Sequence, residues 1–135
     1  MSTPFTWPIR VYWEDTDAGG IVFYANYLKF FERARTEWLR ALGLEQQALR
    51  AQTGGMFVVS ETAVKYHRPA VLDDALRVTA QLAEPGRASL VIAQQAWRDA
   101  QLLCEGTIRI GWVQSDAGGL LRPARIPSSI LERLT

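Results

Sequence analysis

Three carboxylates lie within four residues near the start of the chain, directly before a pair of glycines. Residues 14–17 read Glu-Asp-Thr-Asp, and Gly19 and Gly20 follow after one alanine. Glycine accepts the positive φ of a sharp turn at little steric cost. A carboxylate can attack a carbonyl carbon or activate a water molecule. If a helix begins just after the turn, its free N–H groups can polarise the carbonyl oxygen.

The spacing of apolar residues after the turn predicts that helix. Apolar side chains recur near one face at Tyr27, Phe30, Phe31, Ala34, Trp38 and Leu42. This i, i+3/i+4, i+7 pattern is typical of an amphipathic helix, and Gly43 predicts its C-terminal cap. We expect the residues of the aromatic stripe to be core; the alternative is that part of the stripe borders a pocket. Before the turn, residues 10–13 have the β-branched and aromatic content of a strand.

The remainder of the chain predicts a second, short helix over residues 45–52 and four strands joined by turns. The strands are expected at 56–66, 76–83, 89–97 and 102–113. A capping-box pattern from Ser129 to Glu132 predicts a short terminal helix. Clustered antiparallel strands with one major helix indicate the α+β class, with a twisted sheet wrapped around the helix. Residues 1–135 are expected to form a single domain.

Composition excludes several classes of function. The net charge of +1 provides no field that would recruit nucleic acid. One cysteine, Cys104, and one histidine, His67, argue against a disulfide and against a cysteine or multi-histidine metal site. No apolar run is long enough to insert into a membrane, and the N-terminus lacks a signal-peptide pattern. We therefore expect a cytoplasmic protein.

The segment around the carboxylates also carries a family pattern. It reads Arg10-Val11, four residues, Thr16-Asp17, two residues, Gly20-Ile21-Val22, four residues, Tyr27, three residues, Phe31. It resembles the active-site segment of the 4-hydroxybenzoyl-CoA thioesterase family of hotdog-fold enzymes. Within that family it is most similar to the YbgC-type acyl-CoA thioesterases encoded with the Tol-Pal system. The resemblance continues through residues 32–35, 87–91 and 122–130, and so covers nearly the whole chain.

The resemblance implies a hotdog fold and hydrolysis of acyl-CoA to a free acid and coenzyme A. It implies no metal or prosthetic group, because coenzyme A enters as part of the substrate. Protomers of the family pair sheet edge to sheet edge and build the site between them, so we expect a homodimer or homotetramer.

Asp17 and Tyr24 take the catalytic positions of the family. Asp17 corresponds to the catalytic carboxylate, which acts as the nucleophile or as a general base, and the sequence does not choose between the two. The backbone N–H of Tyr24 would point at the thioester oxygen. Many YbgC-type proteins carry histidine at this position, whereas the 4-hydroxybenzoyl-CoA type carries tyrosine, so the acyl preference stays open.

The binding positions follow from the same resemblance. Arg87, together with Ser89, lies where the family uses basic residues for coenzyme A phosphates, and an arginine fork suits phosphate. The substrate-binding residues are therefore expected to be Gly20, Ile21, Val22, Arg87 and Ser89. Arg122 and Arg125 are expected to face solvent.

Each candidate also has a structural interpretation. Asp17 could simply form a turn, and the same Asp-Ala-Gly-Gly tetrapeptide recurs at residues 116–119, where we expect a plain turn. Glu14 and Asp15 are interpreted as structural or supporting carboxylates. His67 is the alternative general base, and Cys104 is interpreted as inert core.

Two other functions remain open from the sequence. The chain could hydrolyse acyl groups from acyl carrier protein. It could instead be a non-catalytic acyl-binding or scaffold protein of the Tol-Pal envelope system, although its aspartate at position 17 argues against that. A hotdog dehydratase is disfavoured because such chemistry generally relies on a well-placed histidine.

Overall fold

An antiparallel sheet and one long helix dominate the structure, a computed structural model that describes residues 3–135. The first two residues of the predicted 1–135 domain lie outside that range. The strands are β1 Phe5–Arg10, β2 Gly55–Tyr66, β3 Ala75–Glu84, β4 Ser89–Arg98, β5 Gln101–Ser115 and β6 Leu121–Pro123. The helices are α1 Tyr27–Ala41, α2 Gln46–Thr53 and α3 Ser128–Leu134.

The strand order places consecutive strands β2 and β3 far apart. The sheet runs β1-β3-β4-β5-β2, every pair is antiparallel, and β6 pairs with the end of β5. Residues 67–74 must therefore cross from one side of the sheet to the other. On the way this crossover contacts the segment before α1, where the Val22 N–H donates to the Ala70 carbonyl at 2.9 Å. The crossover and the carboxylate loop are thus held together at one end of the sheet.

The sheet wraps α1 because both elements present one apolar face. Alternate residues of β5 point inward and are buried, including Cys104, Ile108 and Trp112. From α1 the buried apolar residues are Tyr27, Phe30, Phe31, Ala34 and Leu39. A Cβ at Gly106 would lie 3.3 Å from the Phe31 ring, so glycine lets the helix approach β5 closely. This is the hotdog fold, as the sequence predicts.

A buried polar group links α1 to the sheet within this apolar layer. Arg35 on α1 is only 9% exposed, and its Nη1 donates to Gln94 Oε1 on β4 at 2.9 Å. The Gln94 amide in turn donates to the carbonyls of Phe31 and Thr79. Burial lowers the pKa of Arg35, although the charge of Glu32 opposes the shift. Buried polar groups of this kind are satisfied by hydrogen bonds, and here those bonds fix the helix against the sheet.

Most predicted elements are confirmed, but the first strand is displaced. The prediction of a strand at 10–13 is wrong, because β1 ends at Arg10 and residues 13–15 form a 3-10 turn. The strand lies earlier: residues 5–10 pair with β3, and Ile9 is its buried position. Pro8 is tolerated because β1 is an edge strand.

Two details at the C-terminus also differ from the sequence prediction. The terminal helix α3 exists, but the predicted capping box is wrong, because Pro127 occupies the N-cap and Ser129 lies inside the helix. The three-residue strand β6 was not predicted; it pairs with the last residues of β5. Across residues 3–135, no helix has the length and apolarity needed to cross a bilayer.

Candidate active site

Asp17 sits at the head of a tight turn that leaves one of its carboxylate oxygens free. Its Oδ1 accepts the Gly19 N–H at 2.8 Å, and its carbonyl accepts the Gly20 N–H at 3.0 Å. Gly20 has φ +82°, a conformation that favours glycine. Within residues 3–135 no donor reaches Oδ2 of Asp17. The side chain is exposed, so this oxygen is available to a substrate or to water.

The second Asp-Ala-Gly-Gly adopts the same turn with a different electrostatic outcome. Gly118 and Gly119 donate to Asp116 as their counterparts donate to Asp17, and Gly119 also has φ +82°. However, Arg122 Nε donates to Asp116 Oδ2 at 2.6 Å. That hydrogen bond, together with backbone donors, lowers the pKa of Asp116. Asp116 is therefore an occupied carboxylate, in which both oxygens accept hydrogen bonds. Asp17 is an open carboxylate, because among residues 3–135 only its Oδ1 accepts one.

Asp15 is a buried carboxylate that joins the loop to the start of the helix. It is 5% exposed; its Oδ2 accepts the Tyr12 N–H and its Oδ1 accepts the Asn26 side-chain amide, both at 2.8 Å. Its carbonyl also accepts the Phe23 N–H at 3.0 Å. Asp15 thus has no oxygen free for chemistry, and its contacts fix the position of the segment that carries Asp17. Glu14 lies beside it and is exposed.

The helix start supplies backbone donors next to Asp17. Tyr24–Asn26 form a 3-10 turn that runs directly into α1. Among the described residues, the N–H groups of Tyr24 and Ala25 have no hydrogen-bond acceptor. Free N–H groups at a helix start carry the positive end of the helix dipole. They can stabilise negative charge that develops on a carbonyl oxygen.

A mostly apolar cleft of about 380 Å³ brings these groups together. Its lining residues are Asp17, Ile21, Val22, Tyr24, Tyr27, Tyr66, His67, Arg68 and Pro69. Val22 and Tyr27 are the buried members of this lining, and burial raises the pKa of Tyr27 to about 12. Tyr27 therefore remains a neutral phenol in the wall. The cleft combines one open carboxylate, free backbone donors and an apolar lining.

Four of the predicted site residues line the cleft, a fifth lies in the adjoining turn, and two lie far away. Asp17, Ile21, Val22 and Tyr24 line the cleft. Gly20 does not line it and serves the turn. Arg87 and Ser89 lie at the other end of the sheet. Ser89 pairs with Gly111 on β5, whereas Tyr66, which lines the cleft, pairs with Cys104 on the same strand. Those two β5 positions are about 23 Å apart at 3.3 Å per residue.

The two other reactive side chains weighed from the sequence differ in position. His67 lies on the rim of the cleft, and its Nε2 is 3.2 Å from Glu105 Oε2. Cys104 is fully buried, and burial raises the pKa of its thiol to about 12. A thiol with that pKa is protonated at neutral pH and is a poor nucleophile, so the chemistry of the cleft does not depend on it.

Sequence reasoning did not identify Tyr66 or Arg68 as site residues. Tyr66 is the last residue of β2 and Arg68 follows two residues later, and the proline at position 69 correctly predicted that the strand stops here. Nothing local in the sequence shows that this stop lies against the start of α1, because the contact joins residues more than 40 positions apart.

The fold and the cleft together define a class of protein. The chain belongs to the thioesterase-like superfamily, whose family model matches residues 11–134. More narrowly, it groups with the YbgC acyl-CoA thioesterases. It is 40% identical to acyl-CoA thioesterase YbgC of Haemophilus influenzae over 130 residues, which are 96% of this chain and 93% of that protein. It is 41% identical to acyl-CoA thioester hydrolase YbgC of Escherichia coli over 131 residues, 96% of this chain and 95% of that protein.

A solved structure supports the fold. A 4-hydroxybenzoyl-CoA thioesterase mutant complexed with 4-hydroxybenzoyl-CoA matches with a TM-score of 0.91 at 20% identity, covering 99% of this chain and all of that one. The predicted family and fold are therefore confirmed. The individual site residues stay predictions.

Replacing Asp15 by alanine tests whether its carboxylate supports the loop. Asp15→Ala should lower the free energy of unfolding by about 1–3 kcal/mol, because two donors lose their acceptor in a buried place. Urea unfolding measures this change. Glu14→Ala, at the exposed neighbouring position, is the control and should change stability by less than about 0.5 kcal/mol. Equal effects of the two substitutions would show that the Asp15 contacts contribute nothing.

Proposed function

We propose that this chain hydrolyses acyl-CoA thioesters, R-CO-S-CoA plus water giving R-COOH and CoA-SH, with Asp17 as the catalytic carboxylate. The observation that carries the proposal is the meeting of an open Asp17 oxygen and the free Tyr24 N–H in one apolar cleft. Relatives about 40% identical over nearly their whole length are named acyl-CoA thioesterases. The cleft also suits the substrate, since its apolar wall would accept an acyl or aryl group.

Two routes of hydrolysis fit this arrangement. In the first, Asp17 removes a proton from water as the water oxygen attacks the thioester carbon. In the second, an Asp17 oxygen attacks the carbon and expels the thiolate, and water then cleaves the resulting anhydride. In both, negative charge builds on the carbonyl oxygen, where the Tyr24 N–H stabilises it. The C–S bond then breaks, and the thiolate takes up a proton to give CoA-SH.

The proposed reaction needs no metal ion or prosthetic group. The Asp17 carboxylate supplies the base or nucleophile. Backbone donors supply the electrophilic assistance, and coenzyme A is part of the substrate.

We assign the activity to the bacterial cytoplasm, where a single buried cysteine suits a reducing environment. Acyl carrier protein remains the alternative acyl donor.

The two edges of the sheet point to pairing of protomers at β2. The β1 edge is six residues long and carries Pro8, which blocks strand addition. The β2 edge is twelve residues long, contains no proline, and leaves Val59 49% and Tyr66 47% exposed. Long edge strands without a proline are normally covered or paired. We therefore propose a homodimer formed through β2, which could associate further into a tetramer.

Such a dimer would give Arg87 a role that it cannot have in one protomer. Ser89 pairs with Gly111 on β5, and Gly111 pairs with Val58 on β2, so Ser89 lies across the sheet from the Gly55 end of β2. Two antiparallel β2 strands place the Tyr66 end of one protomer beside the Gly55 end of the other. Arg87 of the partner subunit would then approach the mouth of the cleft and could bind the coenzyme A phosphates.

Replacing Asp17 by asparagine tests the catalytic carboxylate. The amide keeps an oxygen that can accept the Gly19 N–H, so the turn and the fold should survive. Hydrolysis of acyl-CoA should fall by at least ~10², the low end of what a positioned acid–base group contributes. Substrate affinity should change little. Steady-state kinetics with thiol detection, run in parallel with acyl carrier protein thioesters, measures the loss and identifies the preferred carrier.

Asp116→Asn is the matched control, because it makes the same change in the same turn. It should retain wild-type turnover. The proposal is wrong if folded Asp17→Asn protein keeps its activity, or if the Asp116→Asn protein loses as much. Single turnover in ¹⁸O-labelled water then separates the two routes, since label enters Asp17 only if the anhydride forms.

Replacing Arg87 by alanine tests the phosphate contact. KM for acyl-CoA should rise roughly tenfold with kcat little changed, because a charge-assisted hydrogen bond contributes about 1.5–3 kcal/mol and acts in ground and transition state alike. Thioesters that lack the nucleotide should be unaffected. Arg50→Ala, at an exposed position on α2, is the control and should leave KM unchanged.

Mixing Asp17→Asn chains with Arg87→Ala chains shows whether the contact crosses between protomers. A mixed dimer contains one site with both native residues only if Arg87 acts on its partner's cleft. We expect the mixture to recover activity with the wild-type KM. Recovery with only the raised KM, or a monomer in sedimentation at micromolar protein, would refute action across the interface.

A further inference from the structure

A hydrogen bond joins the end of β2 to the start of the helix. The Tyr66 hydroxyl donates to the Tyr24 carbonyl at 2.8 Å, across 42 positions of sequence. Tyr66 is the last residue of β2, and Tyr24 is the first residue of the 3-10 turn before α1. This bond lies in the wall of the cleft that holds Asp17, since both tyrosines line it.

Aromatic packing keeps the Tyr66 phenol in place. Its ring meets the Tyr24 ring edge-on, with centroids 6.3 Å apart and planes at 84°. It also meets the Tyr27 ring at 5.7 Å and 62°. Edge-to-face pairs of this kind stabilise by about 0.5–1.5 kcal/mol each. The hydroxyl is therefore directed at the Tyr24 carbonyl by two ring contacts as well as by its own hydrogen bond.

The direction of one peptide plane depends on this hydrogen bond. A peptide unit is planar, so fixing the Tyr24 carbonyl also fixes the N–H of Ala25 on the opposite side. The N–H groups of Tyr24 and Ala25 are the free donors at the helix start. A hydrogen bond accepted by the carbonyl further polarises the N–H of the same peptide. Tyr66 thus acts on the Ala25 donor without touching the substrate's carbonyl group.

We propose that Tyr66 is a positioning residue that holds the Tyr24–Ala25 peptide so that the Ala25 N–H faces the thioester oxygen, beside the N–H of Tyr24. This inference rests on the proposed hydrolysis of acyl-CoA. Burial raises the pKa of the Tyr66 phenol, and the charges of Cys104 and Tyr24 add to the shift. The phenol therefore keeps its proton, and with it its donor role, throughout the neutral range.

Tyr66→Phe tests the role because it removes the hydroxyl and keeps both ring contacts. We expect kcat to fall about tenfold, equivalent to about 1.4 kcal/mol of transition-state stabilisation lost when the Ala25 N–H is no longer held toward the thioester oxygen. KM should stay within about twofold of wild type, because no binding contact is lost. The amide ¹H–¹⁵N signal of Ala25 should also shift, since its peptide loses the hydrogen bond to the carbonyl.

The controls separate this inference from the proposed function. Tyr12→Phe removes a hydroxyl from a ring that is 60% exposed and should leave kcat and the Ala25 signal unchanged. If wild-type protein hydrolyses acyl-CoA and Tyr66→Phe has wild-type kcat, or a raised KM with unchanged kcat, the positioning role is refuted. If wild-type protein hydrolyses no thioester, the proposed function fails. In that case an unmoved Ala25 signal in Tyr66→Phe would refute the hydrogen-bond coupling on its own.

Discussion

The buried carboxylate of Asp15 is the constraint on which the candidate site depends. Its two oxygens bind the Tyr12 N–H and the Asn26 amide, and its carbonyl binds the Phe23 N–H. Removing a carboxylate from water is costly, and here the cost is offset by hydrogen bonds and by the nearby positive end of α1. These contacts connect the loop to Tyr12 on its N-terminal side and to Phe23 and Asn26 at the helix start. The open oxygen of Asp17 therefore occupies a defined place next to the free backbone donors.

The position of the site at a sheet edge has a second consequence. The cleft lies where β2 ends and where residues 67–74 leave to cross the sheet. Tyr66 closes one wall there and contacts the helix start directly. The same strand is the long, proline-free edge of the sheet. A second protomer at this edge would extend the wall and bring Arg87 of the partner subunit within reach, so catalysis and assembly would share one element.

The sequence predicts the elements better than the contacts between them. The apolar spacing of α1 and the alternation in β5 each reflect one buried face, so local pattern suffices to find them. The first strand was misplaced because its prediction used the β-branched and aromatic content of residues 10–13, whereas β1 is Phe5–Arg10 and tolerates Pro8 as an edge strand. The repeated Asp-Ala-Gly-Gly shows the limit of local pattern most clearly. Both copies form the same type of turn, but Asp116 also accepts hydrogen bonds from Arg122 and from the Leu120 N–H, which have no counterpart at Asp17 among residues 3–135. The Tyr66 contact and the distance of Arg87 from the cleft depend on strand order, which no local pattern contains.

The central claim is that Asp17 and the helix-start N–H groups act on the same carbonyl. A crystal structure of the Asp17→Asn protein with bound acyl-CoA tests it most directly. The account predicts the thioester oxygen about 3 Å from the backbone nitrogen of Tyr24 or Ala25. It also predicts the carbonyl carbon about 3.5 Å from the side chain at position 17, or one water molecule away from it. A thioester bound with its carbonyl more than roughly 6 Å from both groups, beyond the reach of one bridging water, would contradict the account.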